Sequence, residues 1–182
     1  MNLLLEVKYL KLEKSRNRLL DALEQVDPVI LNTKIAEDKW SIAQIVAHLV
    51  LVEEFTLSYM QRKLEEPEKL PAASLKNYLK SLLLKLALKS KLKFKAPPRV
   101  ADVPDKVCLQ SLRRQWNGVR YTFEDLLTDL PPELLDKCLF KHPYVGPLSV
   151  TQCLTFLQDH FDHHAAQIKH LKQALQPGTS IN

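Results

Sequence analysis

Three of the chain's six histidines fall in the run DHFDHHAAQ, between Asp159 and Gln167. Imidazoles ligate transition ions and titrate near neutral pH, so such a cluster can bind a metal, relay protons or decorate a wet helix face. The direction of each ring separates these uses. With His160 at zero on a helical wheel, His164 lies about 40° away and one turn further on. Cys153, Leu157, Phe161, Ile168, Leu171 and Leu175 fall between about 20° and 100° on the same wheel. His160 and His164 therefore sit inside an apolar stripe. His163, at about −60°, is on its edge, and Asp162 is nearly opposite. His48 behaves like the inward pair: Ile45, Leu49, Val52, Phe55 and Tyr59 all lie within about 100° of it.

A lone core histidine is normally satisfied by a backbone carbonyl or a tyrosine. An inward pair at i and i+4 is different, because that spacing lets two imidazoles converge on one ion. Phe161, Asp162 and His163 stand between the pair, so there is no HExxH and no zincin mechanism. Whether His48 joins them depends on depth. It lies seven residues past Ser41, or ~10 Å into its helix, whereas His160 and His164 lie ~17 and ~23 Å past Ser149. A three-histidine site over His48, His160 and His164 thus requires the two helices to run antiparallel. Three neutral ligands would leave an ion its full charge and an open position for a water or a thiol. His163 and His142 are acid–base candidates by type only. Both read as solvated, as do Glu53 and Glu54, which fall off the apolar face measured from His48.

The elements that must position these rings read as helices throughout. Two begin with capping boxes, Ser41 with Gln44 and Ser149 with Gln152, which start helices over 41–65 and 150–175. Leucines at helical spacing predict a helix over 3–25, and Val107, Leu112, Trp116, Val119, Phe123 and Leu126 predict another over 106–129. The run SLKNYLKSLLLKLALKSKLKF predicts a basic amphipathic helix over 74–95. No strand pattern stands out, and HPYVGP reads as a loop. The fold class is all-α: a four-helix bundle of residues 1–182 as one domain, with an extra short basic helix in the long crossover. That crossover can span the bundle from end to end, so simple up-down connectivity is not required.

The formal net charge is +5, which signals no nucleic-acid role by itself. Lys69 to Arg99 holds eight lysines, one arginine and no acid. A membrane-surface or nucleic-acid role is one reading, and the favoured one is a solvated outer helix seated on the bundle by its stripe of Leu75, Leu79, Leu82, Leu83 and Leu86. Only Tyr78 and Phe94 are there to stack on bases. Cys108, Cys138 and Cys153 form no CxxC pair, and Cys153 is about two turns from His160, too far to share an ion. The N-terminus lacks the build of a signal peptide, no uninterrupted apolar run approaches the ~20 residues of a membrane span, and a cytoplasmic location is expected.

The segments WSIAQIVAHL and GPLSVTQCLTFLQDHFDHHAAQI resemble the DinB/YfiT-like superfamily of four-helix-bundle metalloenzymes, whose pattern is W-S-x-x-Q-x-x-x-H-L on the second helix and H-x-x-x-H on the last. The resemblance extends over nearly the whole chain in element order, and the specific motifs over about 35 residues. It implies metal ligation by His48, His160 and His164, with Ni2+ or Zn2+ as the ion and water completing the shell. It also implies hydrolase or thiol-dependent S-transferase chemistry, the latter with a low-molecular-weight thiol. His163 stands where many relatives carry Arg. The expected partner is a small-molecule substrate, anionic if Lys76 and Lys80 frame the cleft, with no specific nucleic acid and room for a homodimer. A second class stays open: a non-catalytic helical module with a structural metal or none, acting through its surface.

Overall fold

The computed structural model describes residues 1–90 and 97–176. Four long helices form the bundle: α1 (Leu3–Glu24), α3 (Ile42–Leu64), α6 (Leu109–Thr128) and α7 (Val150–Leu175). Shorter helices α2 (Pro28–Asn32), α4 (Leu75–Lys89) and α5 (Pro98–Ala101) lie in the connections. Both expected capping boxes form, Ser41 with Gln44 and Ser149 with Gln152, and a third, Ser74 with Asn77, starts α4. The expected basic helix over 74–95 is helical to Lys89, and residues 91–95 lie outside the described residues.

Side-chain pairs set the sense of each helix. His48 meets His160, while Tyr59 packs on Phe140, which stacks on Phe156, so α3 and α7 are antiparallel. Tyr9 bonds Arg120 and Asp21 pairs with Arg113, so α1 and α6 are antiparallel. Lys8 bonds Thr155 and Ser15 bonds Gln158, which makes α1 and α7 parallel. It follows that α3 and α6 run the same way. A chain leaving the end of α3 must return along the bundle to start α6, and α4 makes that return beside α7. Asn77 bonds Pro147 at one end of this helix, and the Leu88 carbonyl reaches His163 at the other.

The loop expected around HPYVGP is instead part of a strand pair. Residues 138–149 form a hairpin, β1 (Cys138–His142) antiparallel to β2 (Gly146–Ser149), with Phe140 opposite Leu148 and an irregularity between Cys138 and Phe140. Its signal was hidden because β1 is buried at four of its five positions and so does not alternate. β2 carries Pro147, which only an edge strand accepts. Gly146 turns the chain at φ +83°, a conformation that disfavours residues with a Cβ.

Helix α3 sits between α6 and α7 and is buried on both sides. It is long and apolar enough to cross a membrane by composition, but 72% of that window is buried in the bundle, which makes it a core helix. The apolar core forms two clusters, one around Leu5, Met60, Phe123 and Leu139, the other around Leu20, Ile42, Leu49 and Trp116. A polar layer lies between them. Glu53, only 3% exposed, accepts the Trp116 indole N–H at 2.8 Å and both Nε–H (2.6 Å) and Nη2–H (2.7 Å) of Arg120. The expectation of a solvated Glu53 is therefore wrong. Its side chain lies on the second buried face of α3, near Met60 and Leu57, which the arc measured from His48 left out.

Candidate metal centre

His48 projects from the second turn of α3, and His160 and His164 project one turn apart from α7. The antiparallel pairing required by their depths brings all three rings together. His160 Nε2 lies 3.3 Å from His48 Nε2 and 3.1 Å from His164 Nε2. One ligand nitrogen from each residue lies within 4.8 Å of the others, and among the described residues no further His, Cys, Asp or Glu joins the group. His48 and His164 are buried, and His160 is half-buried. Trp40, just before the Ser41 cap, lays its ring against His48 with centroids 5.0 Å apart.

The outer ring nitrogens fix the tautomers. His48 Nδ1 is 2.7 Å from the Val100 carbonyl, which can only accept, so Nδ1 holds the proton and Nε2 presents a lone pair. His164 Nδ1 is 2.8 Å from Gln167 Oε1, with the same consequence. The other half of that amide, Gln167 Nε2, donates to His163 Nε2 at 3.2 Å. His163 Nδ1 in turn donates to the Leu88 carbonyl at 2.9 Å. Every donor in this chain meets an acceptor. Two backbone carbonyls of the crossover, Leu88 in α4 and Val100 in α5, thus orient rings carried by α7 and α3.

Two lone pairs consequently face His160 Nε2, which can offer at most one proton to one of them. A cation among the three nitrogens resolves this conflict. The spacing suits it: nitrogens ~2.0–2.1 Å from a tetrahedral ion lie roughly 3.3 Å apart. The rings are also in the ligating form. Burial pushes His164 down to about 3, helped by the neighbouring His48 and against the Gln167 amide oxygen. Burial, then His164, His48 and His163, hold His160 well below the usual imidazole range. Burial lowers His48 as well, opposed by the Val100 carbonyl. All three are neutral near pH 7. The cluster has the composition and geometry of a metal-binding site.

The remaining candidates are placed elsewhere. His163 lies at the edge of the centre, packing edge-on against His164 with ring centroids 5.2 Å apart and bonding to Gln167. His142, expected in solvent, is 6% exposed. Its Nδ1 accepts the Tyr144 and Val145 N–H groups in the hairpin turn at 3.2 and 3.4 Å. Its ring packs edge-on against Phe156 with centroids 4.6 Å apart, and burial lowers its pKa to about 4. Lys76 and Lys80 are near the opposite end of α4 from Leu88, ~18 and ~12 Å along the helix, so they do not frame the histidines. A cleft of about 280 Å³ lined by Tyr59, Arg62 and Leu70, and one of about 660 Å³ beside α4, are not lined by the three histidines either. Gln167 was missed by residue type, but its position three residues after His164 and four after His163 marked it.

Comparison with known proteins agrees with this geometry. The DinB superfamily matches residues 11–168. YuaE of Bacillus subtilis (strain 168) is 23% identical over 146 residues, covering 80% of this chain and 85% of YuaE. A Bacillus cereus (strain 03BB102) protein, provisionally named a metal-dependent hydrolase, is 29% identical over 173 residues, covering 91% of this chain and 83% of its own length. Among solved structures, YfiT from Bacillus subtilis, provisionally described as a metal-dependent hydrolase with an unusual four-helix bundle topology, aligns with a TM-score of 0.61 at 18% identity, over 94% of this chain and 87% of its own. At that identity the likeness concerns the fold. With the superfamily match spanning most of its length, the chain belongs to the DinB superfamily.

Proposed function

We propose that the protein is a metal-dependent hydrolase in which His48, His160 and His164 hold one divalent transition ion, nickel or zinc, through their Nε2 atoms. The observation that carries this is the convergence of three neutral imidazoles whose outer protons are already committed elsewhere. When bound, an ion with three neutral ligands retains its charge and an unfilled position, and so supplies Lewis acidity that makes a water or a thiol nucleophilic near pH 7. The names of the Bacillus relatives point the same way.

The chain's own residues set the conditions for that chemistry. The Val100 carbonyl and the Gln167 amide aim two of the rings and keep them in the ligating tautomer. Trp40 shields His48 on one side, and the half-buried His160 leaves the centre approachable on another. A structural ion site closes its shell with four protein ligands, whereas catalytic sites use three. The three-residue group therefore favours turnover over a purely structural role.

The test begins with elemental analysis of the purified protein. Each activity is then screened with and without chelator: ester and amide hydrolysis, and thiol transfer with a low-molecular-weight thiol. Metal at one equivalent with chelator-sensitive hydrolysis supports the proposal. Chelator-sensitive activity that depends on added thiol would replace the hydrolase reading with the transferase one. Metal-free protein with wild-type stability would sink both.

A further inference from the structure

The leucine stripe of α4 ought to seat that helix on the bundle. It faces the other way. α4 docks through Leu84 and Leu88, each 8% exposed, while Leu75, Tyr78, Leu79, Leu82, Leu83 and Leu86 are between 43% and 75% exposed. On a wheel with Leu75 at zero, the exposed apolar residues span about −60° to 80°, and Leu84 and Leu88 lie near 180° and 220°. Lys76 and Lys80 border this arc at about 100° and 140° and Lys85 at about −80°, while Lys89, at about −40°, lies within it near the C-terminal end. From Lys69 to Ala101 there is no acid. Beside it, α1 exposes Leu3, Leu4, Val7 and Leu10. The two helices run parallel along α7, and Leu4, Leu75, Tyr78 and Leu82 line one cleft between them. Scattered apolar residues are ordinary on a surface, but ten on two adjacent helices are not.

We propose that this face docks on an anionic lipid surface, lying in the headgroup region without crossing the bilayer. On α4, an outward apolar arc with lysines at its margins and no acid on that helix is the build of an interfacial helix, in which leucines enter the acyl boundary and lysines meet lipid phosphates. Glu6 on α1 and Asp136 in the cleft are the acids beside it. A second copy of the chain fits less well. A two-fold pairing through α4 would set lysine margins against lysine margins with no acid on that helix to offset them. A nucleic-acid backbone would satisfy the lysines but gain nothing from the leucines.

Flotation of the intact protein with lipid vesicles tests this. Vesicles of phosphatidylcholine alone are compared with vesicles containing roughly one-third phosphatidylglycerol. The protein is expected to float with the anionic vesicles only, and less so as salt rises. The triple substitution Leu79→Ser, Leu83→Ser and Leu86→Ser should abolish flotation. Lys76→Gln with Lys80→Gln should lower partitioning about fivefold per lysine. None of the five positions is buried, so circular dichroism and bound metal should match wild type. Absence of flotation with anionic vesicles overturns the proposal, as does a leucine variant that floats like wild type. A stable dimer by sedimentation that the leucine substitutions split, with no flotation, would assign the face to a second copy instead.

Discussion

His48 and His160, 112 residues apart in the chain, place their Nε2 atoms 3.3 Å from each other across two antiparallel helices. Neither helix alone holds the centre: α7 contributes a pair, and α3 makes it a triad. Replacing His160 by Ala should therefore abolish stoichiometric metal while leaving helix content intact. Chelator should lower the melting temperature of wild type and leave that of the variant unchanged. At a free metal concentration about 100 times Kd, the stabilisation lost is about 2.7 kcal/mol. Wild-type affinity in the variant would make these ordinary core histidines.

Gln167 is exposed, yet its side-chain oxygen holds His164 in its tautomer. Gln167→Leu should weaken metal binding about 10–100-fold, with the fold unchanged. Competition with a chromogenic chelator measures this directly. Gln167→Glu restores the acceptor and should recover much of the loss.

The Glu53–Arg120 pair is buried and bidentate, and removing Glu53 leaves Arg120 with the part-exposed Glu13, 3.3 Å away, as its counter-charge. Glu53→Ala should destabilise the protein by about 3–5 kcal/mol in urea unfolding. The double variant Glu53→Leu with Arg120→Met should be far less destabilised than the sum of its parts. A Glu53→Ala effect below about 1 kcal/mol would mean that the pair is solvated.

His142 is buried neutral, with its pKa lowered to about 4 from an unperturbed 6.5. Between those values the unfolded chain binds a proton that the folded one refuses, so this group makes stability fall as pH drops from about 6.5 to about 4, and no further below that. The size is on the order of 3 kcal/mol. His142→Asn keeps an acceptor for the turn N–H groups and should flatten this part of the pH profile, measured as the difference from wild type under identical metal conditions.

Thiol labelling should be ordered. Cys108 is exposed at the start of α6, where the N–H groups of Ser111 and Gln110 and the Ser111 hydroxyl lower its pKa. Cys138 and Cys153 are buried, and burial raises both. A disulfide exchange reagent should modify Cys108 first and the other two only on unfolding. Rapid labelling of all three in the native state would contradict the packing around Cys153.

Much of this molecule was written in local chemistry. The Ser41 and Ser149 capping boxes depend on residues three apart, so they could be read directly, and they supplied the origins from which depths were counted. The inward faces of His48, His160 and His164 followed from helical periodicity, and the antiparallel requirement followed from the depths. Other features depend on what each face meets. Glu53 is buried because α3 lies between two neighbours, and a wheel centred on one apolar arc has no knowledge of a second. The outward stripe of α4 is the clearest case: its leucines have helical spacing whether or not anything covers them. The pattern alone identified an apolar face, and only the assembled bundle decided that α7 would take Leu84 and Leu88 and leave the larger face free. The carbonyls of Leu88 and Val100 have no sequence signature at all. Every residue carries such a group, and only the path of the crossover aimed these two at imidazole nitrogens.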